Sequence, residues 1–165
     1  MIVVSDSSPL ITLARVGCFH LLPQLFGTVR ISDEVFHEVS IIGAGLPGAS
    51  EVATSAWIEV QTVHDKTGLA NAMKLAGLGA GEVSAVLLAK QVSAELVVID
   101  EWKARRFARE QGFAVTGCIG ILEDLYERGE LSDLRGVYWR LIEQKARVDI
   151  RLLTLSLAKF KLPPL

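Results

Sequence analysis

The chain has 165 residues, half of them hydrophobic, which excludes a disordered tail or linker and gives one domain enough apolar surface to hold itself together without staples. Two cysteines, Cys18 and Cys118, make neither a disulfide framework nor a zinc knot, so buried free thiols are expected. The net charge of −2 gives no general attraction for nucleic acid, but its distribution is uneven: residues 1–100 carry 5 Lys/Arg and 10 Asp/Glu, and residues 101–165 carry 12 and 9. An acidic first part with a basic second part suits a protein that needs both a metal-binding pocket and a phosphate-binding surface, and equally a solvated basic helix.

The start, Met1 to Asp6, lacks a basic segment and meets a carboxylate at position 6, unlike a signal peptide. No apolar run reaches about 18 residues, so no membrane span is expected and the protein reads as cytoplasmic. Ile2-Val3-Val4 predicts a buried strand. Ser7-Ser8-Pro9 predicts a helix with a hydroxyl cap followed by Pro at the first helical position. A short helix is expected over Phe19 to Phe26, a strand over Thr28 to Ile31, and a helix capped by Ser32 or Asp33 that runs through Val39. Gly43 to Gly48 is a loop. A short helix near Glu51 leads to a strand over Ile58 to Val63. Three glycines between Gly77 and Gly81 precede a helix from Glu82 to Val92 that is apolar nearly all round and therefore buried. Leu96 to Ile99 is a continuous apolar strand of the kind found inside a parallel sheet. A helix from Glu101 to Gln111 ends at Gly112, Phe113 to Val115 is a strand, and from about residue 119 the chain is helical: Ile119–Arg128, Leu131–Arg147 and Ile150–Phe160. Strands alternating with helices predict one three-layer α/β/α domain over residues 1–165 with a mainly parallel sheet.

Ligands of open α/β sheets bind beyond the carboxyl ends of the strands. Asp6 and Asp100 each follow an apolar strand and are expected at the same sheet edge, although Asp also caps helices. Glu82 lines up with Val86 and Ala89 on an apolar face, where a carboxylate needs a partner or a metal, unless it serves the first turn of its helix. Glu38 borders the apolar arc of Val35, Phe36 and Val39, and could also be a solvated edge residue. Together these acids form the oxygen-rich set that hard divalent cations take and that two-metal phosphodiester hydrolysis requires.

The chain resembles a PIN domain over nearly its whole length, in the prokaryotic branch related to VapC-type toxin ribonucleases. The resemblance is carried by Val3-Val4-Ser5-Asp6-Ser7-Ser8-Pro9, by Ile31-Ser32-Asp33-Glu34-Val35-Phe36-His37-Glu38-Val39, and by Gly79-Ala80-Gly81-Glu82. It continues through Val98-Ile99-Asp100-Glu101 followed by Ala104-Arg105 and Ala108, and through Gly112 to Leu122. It implies that Asp6, Glu38, Glu82 and Asp100 are the metal-binding and catalytic acids, that they converge, and that the protein cleaves RNA with Mg²⁺ or Mn²⁺. It also implies a homodimer and an antitoxin partner. Two features depart from the pattern. The third acid is more often Asp, and here Glu82 brings a longer arm. Asp100 and Glu101 are adjacent, and either could be the fourth ligand; Asp100 is favoured because it ends the strand.

Ser7, Lys103, Arg105, Arg106, Arg109 and Thr116 are the candidate nucleic-acid contacts. Arg105 and Arg109 share a helix face as a phosphate-gripping strip would, and Thr116 precedes a helix start where phosphate could sit. A Glu101–Arg105 pair on a solvated helix is the plainer alternative. His20, His37 and His64 lack metal spacing, and Trp57, Trp102 and Trp139 read as packing residues. Two other functions compete. A non-catalytic PIN-like binding module would share the fold. A phosphatase or receiver-like protein would also place an Asp after the first strand, but the phosphatase pattern wants a second Asp where Ser8 stands.

Overall fold

The computed structural model describes residues 1–165. Five parallel strands form one sheet: β1 (Val3–Ser5), β2 (Val29–Ser32), β3 (Ile58–Gln61), β4 (Leu96–Val98) and β5 (Ala114–Thr116), in the order β3-β2-β1-β4-β5. The chain moves from β1 outward to β3, then crosses back to β4 and β5. The order therefore reverses between β1 and β4, which is where such sheets open a crevice.

Successive strand side chains point to opposite faces, and the core divides accordingly. Val3, Ile31 and Val98 join one cluster with α1 (Ser7–Arg15), α8 (Cys118–Glu127), α9 (Leu134–Glu143) and α10 (Ile150–Lys159). Val4, Val97 and Ile99 join the other with α5 (Lys66–Ala76), α6 (Ala80–Gln91) and α7 (Trp102–Glu110). These are the two helical layers of the expected sandwich. Helix α6 is buried on most sides, as its composition predicts, with only Lys90 and Gln91 at its end exposed. On the other face, the buried Tyr138 hydroxyl and Ser156 Oγ share a 2.6 Å hydrogen bond that ties α9 to α10.

Several expectations need correction. The helix after β2 is not uniform. Ser32 caps α3 (Asp33–Phe36), its Oγ accepting from Val35 N at 3.0 Å, and the helix then widens into a π-helical segment over His37–Ile42. The expected helix over Phe19 to Phe26 is a 3₁₀ turn (Phe19–Leu21) leading into α2 (Leu22–Phe26), and α4 covers Ala49–Thr54. The sequence pattern predicts no element where α5 forms, because Gly68 and Asn71 weaken its helical signal and Leu69 is its only buried residue. Its ends were nonetheless marked: Asp65 caps it, and Gly77 stops it at φ +65°. Helix α9 is shorter than expected because Asp133 starts it, accepting from Gly136 N at 2.8 Å. Both cysteines are free and buried. No single helix is long and apolar enough to cross a membrane.

Candidate active site

Helices α1, α3 with its π-helical continuation, α6 and α7 each bring a candidate acid to the carboxyl edge of the sheet. Asp6 occupies the N-cap position of α1, yet its carboxylate makes no capping bond, and Pro9 is the third residue of that helix rather than the first. Asp6 is 2% exposed, and its backbone N–H donates to Val98 O at 3.0 Å, locking β1 beside β4. Burial pushes its carboxyl up to about 7. The Ser7 backbone amide and hydroxyl oppose that shift, and the negative charges of Glu82 and Glu38 add to it.

Glu38 lies in the π-helical segment, a departure from regular helix that often marks functional positions. Its carboxylate accepts from the Ser7 hydroxyl, and from Gly81 N at 3.1 Å in the first turn of α6. A Cβ at position 81 would lie 2.6 Å from the Glu38 oxygens, so this approach requires glycine. Glu82, the third residue of α6, reaches back to accept from Gly79 N at 3.0 Å. The longer arm of Glu lets it reach this N–H; the cap is one-sided, because Gly79 has no side chain to return a bond. The N-terminus of α6 thus holds two carboxylates next to Asp6, where free N–H groups and the helix dipole favour negative charge.

Asp100 leaves the same edge toward the other helical layer. It continues the Val98 side of β4, whereas Asp6 continues the Val4 side of β1. Asp100 Oδ1 accepts from Cys118 N at 2.7 Å, and its Oδ2 accepts from the Cys118 thiol at 2.9 Å. Burial, with the Asp100 charge adding, raises the Cys118 pKa well above the ordinary thiol value, so the thiol keeps the proton it donates. Glu101 caps α7, its Oε2 accepting from Ala104 N at 3.1 Å. The expectation that both strand-end aspartates reach one edge holds, but Asp6, Glu38 and Glu82 gather on one helix start while Asp100 binds another.

As the side chains stand, no group of three or more His, Cys, Asp or Glu residues could hold an ion. Ser7, Gly81, Gly79 and Cys118 occupy the carboxylates. The donor set nevertheless fits a hard divalent cation. It is all oxygen, and its most buried member holds a proton near neutral pH that a cation would replace. Acids converging at the switch point of a parallel sheet agree with the family comparison, in which the PIN-domain family matches residues 2–161. The chain belongs to the PIN-domain family. PIN domains are generally nucleases and typically use divalent metal ions. No curated protein sequence matches the chain.

Several candidate nucleic-acid contacts of this PIN domain are engaged within the chain. Ser7 is buried among the acids rather than presented to a ligand. Arg105 donates to Ile99 O at 2.9 Å beside Asp100 and does not pair with Glu101, which is spent on its cap. Arg106 pairs with Glu110 at 2.9 Å. Lys103 and Arg109 remain exposed on α7 without an acid partner. Thr116 ends β5 and packs against Gly120, one turn into α8. Of the tryptophans, Trp57 packs on Phe19 with ring centroids 4.8 Å apart, but Trp102 is 64% exposed and so is no packing residue.

Proposed function

We propose that this PIN domain is a divalent-metal-dependent ribonuclease that hydrolyses RNA phosphodiester bonds at the carboxyl edge of its sheet. The observation that carries the proposal is the gathering of Glu38 and Glu82 on the first turn of α6 beside the buried, readily protonated Asp6. Asp6, Glu38, Glu82 and Asp100 would hold Mg²⁺ or Mn²⁺, which when bound activates water and neutralises charge on the phosphate. Ser7 orients Asp6 and Glu38, the N-termini of α6 and α8 supply positive potential, and Lys103 and Arg109 are free for flanking phosphates.

The test is cleavage of a single-stranded RNA by the purified chain with Mg²⁺ or Mn²⁺, with excess EDTA, and with Asp6→Asn. Cleavage only by wild type with metal supports the proposal, and cleavage that persists in EDTA overturns it. A second reading, a non-catalytic RNA-binding module, is favoured by one observation: the hydrogen bonds that already occupy Glu38, Glu82 and Asp100. RNA binding without cleavage at saturating metal would select it.

The resemblance to toxin ribonucleases supports a place in a toxin–antitoxin pair. Expression that arrests growth in wild type but not in Asp6→Asn would bear this out. Exposed Ile41, Ile42 and Leu46, at the end of the π-helical segment and in the loop after it, support a homodimer. A monomer in sedimentation at micromolar concentration would count against it.

A further inference from the structure

A cavity of about 810 Å³ opens beside Asp100, away from Asp6. It is a trough between α7, the start of α8, and α10. Trp102, Leu152 and Leu155 line it, and each is more than half exposed. Its far wall is fixed, because α10 is anchored by buried Leu153 and Leu157 and by the Tyr138–Ser156 hydrogen bond.

Most of the charges around the trough are already spent. Lys159 contacts Glu123 and Glu127, Asp149 contacts Arg151, Arg105 bonds Ile99 O, Glu101 caps α7, and Asp100 bonds Cys118. The charge left over is the exposed guanidinium of Arg147, which has no acid partner. The site therefore presents an exposed indole, with Lys103 Nζ 5.9 Å from its ring centroid, beside apolar walls and the free Arg147, next to a candidate acid.

We propose that this trough seats an unpaired nucleotide of the RNA substrate, with its base stacked on Trp102 between α7 and α10 and a phosphate on Arg147. The proposal rests on the ribonuclease reading and names where that substrate's neighbouring nucleotide goes. Stacking on an aromatic face accepts any base, so Trp102 is a positioning residue for single-stranded substrate and does not read sequence.

The test uses the full chain and a short single-stranded RNA. Trp102→Ala is expected to raise KM about tenfold or more, the effect of losing one base–aromatic stack, with kcat nearly unchanged. Trp102→Tyr should restore most of the loss, which a purely structural role would not predict. Removing the base at one position of the RNA should cost the wild type as much as Trp102→Ala does, and should cost Trp102→Ala nothing more. Equal sensitivity of both proteins to every abasic position, or failure of Trp102→Tyr to rescue, overturns the proposal. If Asp6-dependent cleavage persists while Trp102→Ala leaves KM unchanged, the trough assignment alone falls. If the chain neither cleaves the RNA nor binds it in EDTA, the ribonuclease reading falls and takes the trough with it. If Leu155→Ser turns a dimer into a monomer without changing KM, the trough is a protein interface and the proposal is overturned.

Discussion

The Ser7 hydroxyl bonds directly to the Glu38 carboxylate, 31 residues along the chain, and also lies 3.2 Å from Asp6 Oδ1. A hydroxyl has one proton to give. With that proton on Glu38, the Asp6 contact is favourable when Asp6 carries a proton of its own and donates to Ser7. Burial, with the Glu82 and Glu38 charges adding, raises the Asp6 pKa to about 7, so a proton is available there near neutral pH. With Asp6 protonated, the metal-free cluster is thus a short chain of two hydrogen bonds, Asp6 to Ser7 and Ser7 to Glu38, each with its own proton.

Asp6→Asn should therefore abolish RNA cleavage without unfolding the protein. Asn keeps the shape and a donor toward Ser7 but loses the charge that holds a cation. The metal-free variant should be as stable as wild type at neutral pH and more stable above it. Mg²⁺ or Mn²⁺ should raise the Tm of the wild type by binding only the folded state, and raise that of the variant much less. Thermal melts with and without metal check this. An unfolded Asp6→Asn would mean that Asp6 is structural.

The same carboxyl makes stability depend on pH. Its folded pKa, about 7, lies above the ordinary 3.8, so between those values the folded state binds the extra proton. Its contribution is fully present below about pH 4, is lost as pH rises through about 7, and amounts to on the order of 4 kcal/mol before other groups are counted. Metal binding runs the other way. It releases the proton, so apparent metal affinity should rise with pH up to about 7 and then level off. Denaturant melts in EDTA and metal titrations across pH 5–9 should show opposite slopes, both absent in Asp6→Asn.

Gly81→Ala should damage function more than stability. The new Cβ would stand 2.6 Å from both Glu38 carboxylate oxygens. What it meets is the free end of a flexible side chain, so Glu38 should swing away and lose the Gly81 N–H. Alanine is the better helix former by about 1 kcal/mol, which offsets that lost bond. Tm should stay within a few degrees of wild type while metal binding and cleavage fall. A variant with normal cleavage would place Glu38 outside the active cluster.

Ser32→Ala should act through stability. Ser32 is fully buried, caps α3 and bonds Ser84 Oγ at 2.7 Å, joining the Glu38-bearing helix to α6. Ser84 keeps its bond to Gly81 O, so the main loss is the cap, about 1–2 kcal/mol. Tm should fall by a few degrees. An unchanged Tm would show that water or a neighbouring group replaces the cap.

By itself the sequence determined the features that depend on neighbouring residues. The apolar runs Val3-Val4 and Leu96 to Ile99 mark strands, and an acid that follows such a run sits at a strand end. The unbroken apolar surface after Gly81 marks a buried helix. Which groups each acid meets is a different kind of fact. Asp6 and Asp100 end adjacent parallel strands, yet side-chain alternation sends one toward α6 and the other toward α8, and that follows from register and layer packing across the whole chain. The Ser7–Glu38 bond, the close approach of Glu38 to Gly81, and the exposure of Trp102 on a trough walled by α10 are likewise set by contacts between residues far apart in sequence. Local periodicity encodes which face of an element is apolar; only the assembled sheet and its covering helices decide what that face touches.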